Sequence, residues 1–139
     1  MPYLRSYRIF VSHAWHRGEH YSRVVSWLDD ARHFSWENLS VPEHNPVIAN
    51  NSEALAYELR NQMRPADVFL ILAGMYAAHS DWIDFELAFA RRIGRPILGI
   101  RPRGAERMPS AIQDNATAIV NWNGDSIISA VRDYALPSG

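Results

Sequence analysis

The chain has 139 residues, 47% apolar and 21% charged, with a formal net charge of −1. Those values describe one folded domain with a core of ordinary size, and they exclude intrinsic disorder and a polybasic nucleic-acid binder. There is no cysteine, and all 14 basic residues are arginines, so disulfides, thiolate chemistry, Schiff-base and P-loop chemistry and a lysine-dependent receiver site are excluded as well.

Arg8-Ile-Phe-Val-Ser12 reads as a short buried strand. From Glu19 to Arg32 the apolar residues Tyr21, Val24, Val25, Leu28 and Ala31 recur at helical spacing, which predicts an amphipathic helix. Trp36–Val41 reads as a second strand, interrupted by Glu37, Asn38 and Ser40, and Pro42 and Pro46 then enforce a loop. Asn50-Asn-Ser-Glu53 has the spacing of a helix start, with Leu55, Leu59 and Met63 on one face until Pro65 ends the run. Asp67-Val-Phe-Leu-Ile-Leu72 is the clearest buried strand. A turn through Gly74 leads to a helix from about Ser80 to Ile93, and Gly94-Arg-Pro96 closes it and launches the strand Ile97–Ile100. Arg101–Asn115 is irregular, with one helical turn expected at Pro109. Thr117–Val120 is the last strand, and Asp125 is expected to cap a final helix containing Ile127, Ile128, Val131 and Tyr134.

Continuous apolar strands alternating with helices predict a single α/β domain over residues 1–139, with its core at about 8–134. Five parallel strands suit the flavodoxin-like order 2-1-3-4-5 with helices on both faces. In that order the ligand crevice lies beyond the carboxyl ends of strands one and three, which directs attention to Ser12–Gly18, Val41–Asn51 and Ala73–Ser80. The longest apolar run, Val68–Met75, is far below the ~20 residues that span a bilayer. The opening Met1-Pro-Tyr-Leu-Arg5 has no signal-peptide apolar core, so a cytoplasmic protein without membrane contact is expected.

One residue breaks the pattern. On a helical wheel the fourth segment presents Trp82, Phe89, Ile93, Ala90 and Phe85 as an apolar arc, with Asp84 and Arg91 on the opposite side. Glu86 falls about 40° from Trp82, inside that arc. A carboxylate there must be paired, hydrogen-bonded or shifted in pKa. Its proximity to the predicted crevice makes it the candidate catalytic group. Around it the sequence offers Ser12, His13, Trp15, His79, Ser80 and Trp82 for hydroxyl, imidazole and stacking contacts to a substrate, and the end of the second strand and the loop after it add Ser40 and His44. His13, His16 and His20 cross from a loop into a helix start, a run that does not guarantee the convergence a zinc site needs, so no metal is expected. No G-x-G-x-x-G, P-loop or G-x-S-x-G pattern is present.

Arg8-Ile-Phe-Val-Ser-His13 resembles the opening strand of TIR domains. Ser80-Asp-Trp-Ile-Asp-Phe-Glu-Leu87 resembles the TIR helix motif Ser-x-Trp-Cys-x-x-Glu-Leu, with Ile83 where cysteine is common. Gly94-Arg-Pro-Ile-Leu-Gly-Ile100 is similar to the strand that follows. The likeness spans residues 8–134 and is nearest to the bacterial, Thoeris-type antiphage-defence branch. The resemblance implies cleavage of the nicotinamide–ribose bond of NAD, which is substrate and not cofactor, and an ADP-ribose-derived signal. It places the family's catalytic glutamate on Glu86, the loop after strand one on Ser12–Arg17, and the BB loop on Val41–Asn51. It also implies TIR self-assembly or action on an effector through a diffusible product. Two departures are the absence of an acid before Glu19 in the first loop and a non-standard Val41-Pro-Glu-His-Asn-Pro46. A non-catalytic TIR-type scaffold and a nucleoside deoxyribosyltransferase-like enzyme with Glu86 as covalent nucleophile remain as alternatives.

Overall fold

The computed structural model describes residues 6–12, 19–39, 57, 60–102 and 107–136, and for residues 75–82 the backbone alone. Its elements are β1 (Ser6–Val11), α1 (Glu19–Asp30), β2 (Ser35–Asn38), β3 (Val68–Leu72), a 3-10 turn at Ala73–Met75, α2 (Tyr76–Arg92), β4 (Ile97–Ile100), α3 (Ser110–Asn115), β5 (Ala118–Val120) and α4 (Gly124–Tyr134). Residues 60–63 are helical ahead of Pro65, in line with the end of the helix expected from Asn50 to Met63; most of that helix lies outside the described residues.

The strands form one parallel sheet in the order β2-β1-β3-β4-β5, as the alternation of strand and helix implied. Register is continuous across it, with Ile9 opposite Val68, Leu70 opposite Leu98, and Gly99 opposite Ile119. Every residue of β3 and β4 is buried, the signature of central strands covered on both faces. β2, at one edge, is half-buried to exposed, which is why its sequence is polar. Phe10 and Phe69 sit ring against ring at 5.4 Å on neighbouring strands, with Val24 and Leu28 of α1 and Ile127 and Val131 of α4 also fully buried.

Two expectations need correction. α2 begins at Tyr76, about a turn before Ser80, because the 3-10 turn carries Gly74 directly into the helix and does not break it. In α4 the cap is Asn123, whose side-chain oxygen accepts from the Ser126 amide at 2.8 Å; Asp125 lies inside the first turn, where its charge meets the helix dipole.

The amino-terminal end of the sheet is closed by Asp67. Only 6% exposed, its carboxylate accepts from the Arg8 amide at 3.0 Å and from Arg8 Nη2 at 3.3 Å, and its own amide donates to the Arg8 carbonyl at 2.7 Å. A buried acid so engaged is a structural fastener.

Candidate functional site

Glu86 is the second buried carboxyl group among the described residues, 4% exposed, and its circumstances differ from those of Asp67. It lies on the face of α2 that also buries Ile83, Leu87 and Ala90, while Asp84 and Arg91 are exposed, as the wheel predicted. Its Oε1 is sealed from solvent with no hydrogen-bond partner among the described residues. Burial alone pushes the carboxyl up to about 8, against an ordinary value of 4.5. At neutral pH the group is therefore mostly a neutral acid. It holds a proton that an arriving positive charge would displace, because a cation in the same low-dielectric space favours the carboxylate. Buried polar atoms are satisfied in the great majority of cases, so an orphan of this kind singles Glu86 out as the candidate functional group among the described residues. The early start of α2 puts Glu86 ten residues into the helix, roughly 15 Å along its axis from the turn after β3.

At the carboxyl end of β1, Ser12 is fully buried. Its amide donates to the Leu70 carbonyl at 2.9 Å, and its Oγ accepts from the Leu72 amide at 3.3 Å. The hydroxyl oxygen thus splices β1 to β3 where the regular ladder ends. Ser12→Ala orphans a buried amide and is expected to cost about 1–2 kcal/mol, read from the urea midpoint. His13, Trp15, Ser40 and His44 lie outside the described residues. His79, Ser80 and Trp82 belong to the first half of α2, and their side chains are likewise outside what is described. Among the described residues no three His, Asp or Glu side chains are grouped to hold a metal.

Two contacts at this end of the sheet escape sequence patterning. The Asn38 side chain donates to the Tyr21 hydroxyl at 3.0 Å, tying β2 to α1. Against the 3-10 turn lies His20: a Cβ on Gly74 would stand 2.9 Å from His20 Cε1 and 3.1 Å from Nδ1. The imidazole is backed edge-on by Trp122 at 5.2 Å, and Trp122 by Trp27 at 5.1 Å, so the ring has little room to yield. The glycine is needed for close approach, since only hydrogen fits between the turn and the imidazole. Gly74→Ala is expected to destabilise by about 1–2 kcal/mol through overpacking. Adding His20→Ala should relieve most of that cost, and a double-mutant cycle measures the coupling.

Comparison with known proteins follows the same lines. The family described as Thoeris protein ThsB, TIR-like domain, matches residues 10–107, a span that contains the last two residues of β1, the whole of α2 and β4. A search of the curated proteins finds no match. Among solved structures, a putative pilus assembly-related protein from Burkholderia pseudomallei is similar with a TM-score of 0.55 at 13% identity, over 96% of this chain and 92% of that one. At that identity the likeness concerns the fold. No helix among the described residues is long and apolar enough to cross a membrane.

Proposed function

The chain belongs to the TIR-like domain family of the Thoeris protein ThsB, and from that premise we propose that it cleaves the nicotinamide–ribose bond of NAD and releases an ADP-ribose-derived, cyclised signal in antiphage defence. The observation that carries the reading is Glu86, a buried acid on the helix after the third strand with an oxygen that has no partner among the described residues.

The chemistry asks little of the protein. As the glycosidic C–N bond breaks, its electron pair goes to the nicotinamide nitrogen, which leaves neutral, and the ribose C1′ acquires oxocarbenium character. A carboxylate held in a dry site stabilises that charge far better than one in water. The neutral acid of the free protein becomes that carboxylate when the cationic nicotinamide enters, so substrate binding and ionisation are coupled and a proton leaves on binding. Attack on C1′ by an adenine nitrogen, or by a ribose hydroxyl that gives its proton to the carboxylate or to solvent, closes a ring. Attack by water gives ADP-ribose, the attacking oxygen losing its proton to the carboxylate or to solvent. In this reading Ser12, His13, Trp15, Ser40, His44, His79, Ser80 and Trp82 surround the substrate, and NAD is consumed and not retained. Self-association completes the site where neighbouring chains meet, and the product acts on a downstream effector.

The test is mass-resolved product analysis of NAD incubated with wild type and with Glu86→Gln, each over a range of protein concentration. Nicotinamide release by wild type alone supports the proposal. Release undiminished in the variant removes Glu86 from the chemistry, and an inert wild type that captures a protein partner replaces the enzyme with a scaffold. A glycosyl adduct on Glu86 formed from deoxynucleosides, with indifference to NAD, replaces it with a deoxyribosyltransferase.

A further inference from the structure

On the flank of α2 away from Glu86 lies a small groove of about 130 Å³, lined by Arg60, Phe85, Ala88, Phe89 and Arg92. Phe85, Ala88, Phe89 and Arg92 recur at three- and four-residue spacing, so they rise on one side of the helix. The exposed Ala88 leaves the gap, and Arg60 closes it from the segment before Pro65. A cavity of ~150 Å³ accepts a single benzene ring. The groove therefore has room for one aromatic side chain, between apolar walls and two arginines.

The chain itself supplies such a ring. Among the described residues two large side chains with apolar bodies stand out in solvent, Tyr57 at 62% and Tyr134 at 44% exposed. Tyr57 precedes Arg60 by three residues on the same helical segment and belongs to the groove's own side. Tyr134 ends α4 and follows Asp133, which is exposed. Asp133 has no ion-pair partner among the described residues, and neither has the exposed Arg92. A ring beside a carboxylate thus matches a ring-sized gap beside a guanidinium, in size and in charge. α4 packs with α1 and α2 packs with α3, which puts Tyr134 and the groove on opposite faces of the sheet. One chain cannot bring them together, but two copies can. Such a contact joins unlike surfaces, so it runs head to tail and leaves each end free to add another copy.

We propose that Tyr134 of one copy inserts into the groove of the next, between Phe85, Ala88 and Phe89, with its neighbour Asp133 on the Arg92 guanidinium. The contact gives self-association its surfaces and stands whether or not NAD is cleaved, because its test reads mass and not nicotinamide. That test is sedimentation velocity of the intact chain over a wide range of protein concentration and salt. Wild type is expected to pass from monomer to longer species as concentration rises, and to return as salt screens the ion pair. Tyr134→Ala removes the ring and Ala88→Trp fills the gap. Each should weaken association by about tenfold or more, the effect of losing an aromatic anchor. Both positions are exposed, so the urea midpoint should barely move. Arg92→Asp and Asp133→Arg should each weaken association too, and a chain carrying both should recover it, since the exchanged charges meet across the contact. Glu86→Gln and Tyr57→Ala should associate as wild type does. A chain that is monomeric at every concentration overturns the proposal, as does association that survives Tyr134→Ala or is not recovered by the charge exchange. Loss of association in Tyr57→Ala overturns it in favour of a symmetric contact. Uptake of an acidic tyrosyl peptide by a chain that stays monomeric overturns it in favour of a different protein partner.

Discussion

Glu86→Gln is expected to abolish nicotinamide release and, in the same molecule, to raise stability above neutral pH. The two effects share one cause. In the unfolded chain the carboxyl titrates at its ordinary value of 4.5, and in the fold burial moves it to about 8. Between those values the folded state retains a proton that the unfolded state has given up, so stability falls as pH rises. The contribution is most favourable at and below the unfolded value and is lost by the time pH passes the folded one, a change on the order of 5 kcal/mol across the window. This is the reverse of the usual paired carboxylate, which stabilises above its unfolded pKa. Glutamine has the same shape and no charge to desolvate, so its profile through the window is flat as far as this position is concerned.

Urea unfolding of both proteins between about pH 5 and pH 9 gives the measurement. The advantage of the variant should grow from almost nothing at the acid end to several kcal/mol at the alkaline end. A variant less stable than wild type throughout would mean that the carboxyl is held by a partner, and the site would lose its reactive acid. In wild type the kcat/KM for NAD is expected to climb with pH and level off above about 8, since it reports the free protein. The kcat profile should be displaced to lower pH, because a bound cation favours the ionised form. Stability sacrificed at the pH of function, and recovered by the substitution that removes function, separates a catalytic acid from a structural one.

That contrast was only half legible in the sequence. The helical period placed Glu86 among apolar residues because periodicity is local, and it set the strand order because five apolar runs separated by helices leave few ways to build a sheet. Asp67 looked like the first residue of a strand and no more. What distinguishes the two acids is pairing at a distance: Arg8, which engages Asp67, lies 59 positions away in the chain. The same holds for Ser12, whose oxygen is claimed by an amide 60 positions on, and for His20, which fits the 3-10 turn only because position 74 is glycine. The misplaced start of α2 has another origin. Gly74 was read as punctuation, yet a 3-10 turn accommodates glycine and runs on into helix. The capping residue of α4 was missed by two positions, since Asn123 and Asp125 are both good cap residues and only the backbone tells them apart. His13, Trp15, Ser40 and His44 lie outside the described residues, and the sequence offers for them only residue type and nearness to the expected crevice.

Arg95→Ala should be the most damaging change at the far end of the helix that carries Glu86, at about 3 kcal/mol. Beyond Arg92 the chain turns through Gly94 at a φ of 72°, a left-handed conformation that suits glycine. The Gly94 amide donates to the Arg91 carbonyl at 3.1 Å and the Arg95 amide to the Ala90 carbonyl at 2.9 Å, a Schellman closure of α2. The Arg95 side chain then folds back over that closure. Its Nε donates to the Ala66 carbonyl at 2.9 Å, Nη1 to the Ile93 carbonyl at 2.8 Å and Nη2 to the Arg64 carbonyl at 3.2 Å. One guanidinium thus holds the end of α2 to the segment that enters β3, and alanine leaves three carbonyls short of a charged donor. Lysine is a poor substitute, because its ammonium is a point and cannot span carbonyls that a planar fork reaches together. Arg95→Lys should therefore recover less than half of the lost urea midpoint. Amide hydrogen exchange gives a second readout: in Arg95→Ala the last two turns of α2 should exchange faster than the strands, as expected of an end released from its anchor. An unchanged midpoint with unchanged exchange would show that the Schellman closure suffices, and the clamp would have to be sought in the packing of Phe89 and Ala90 beneath it.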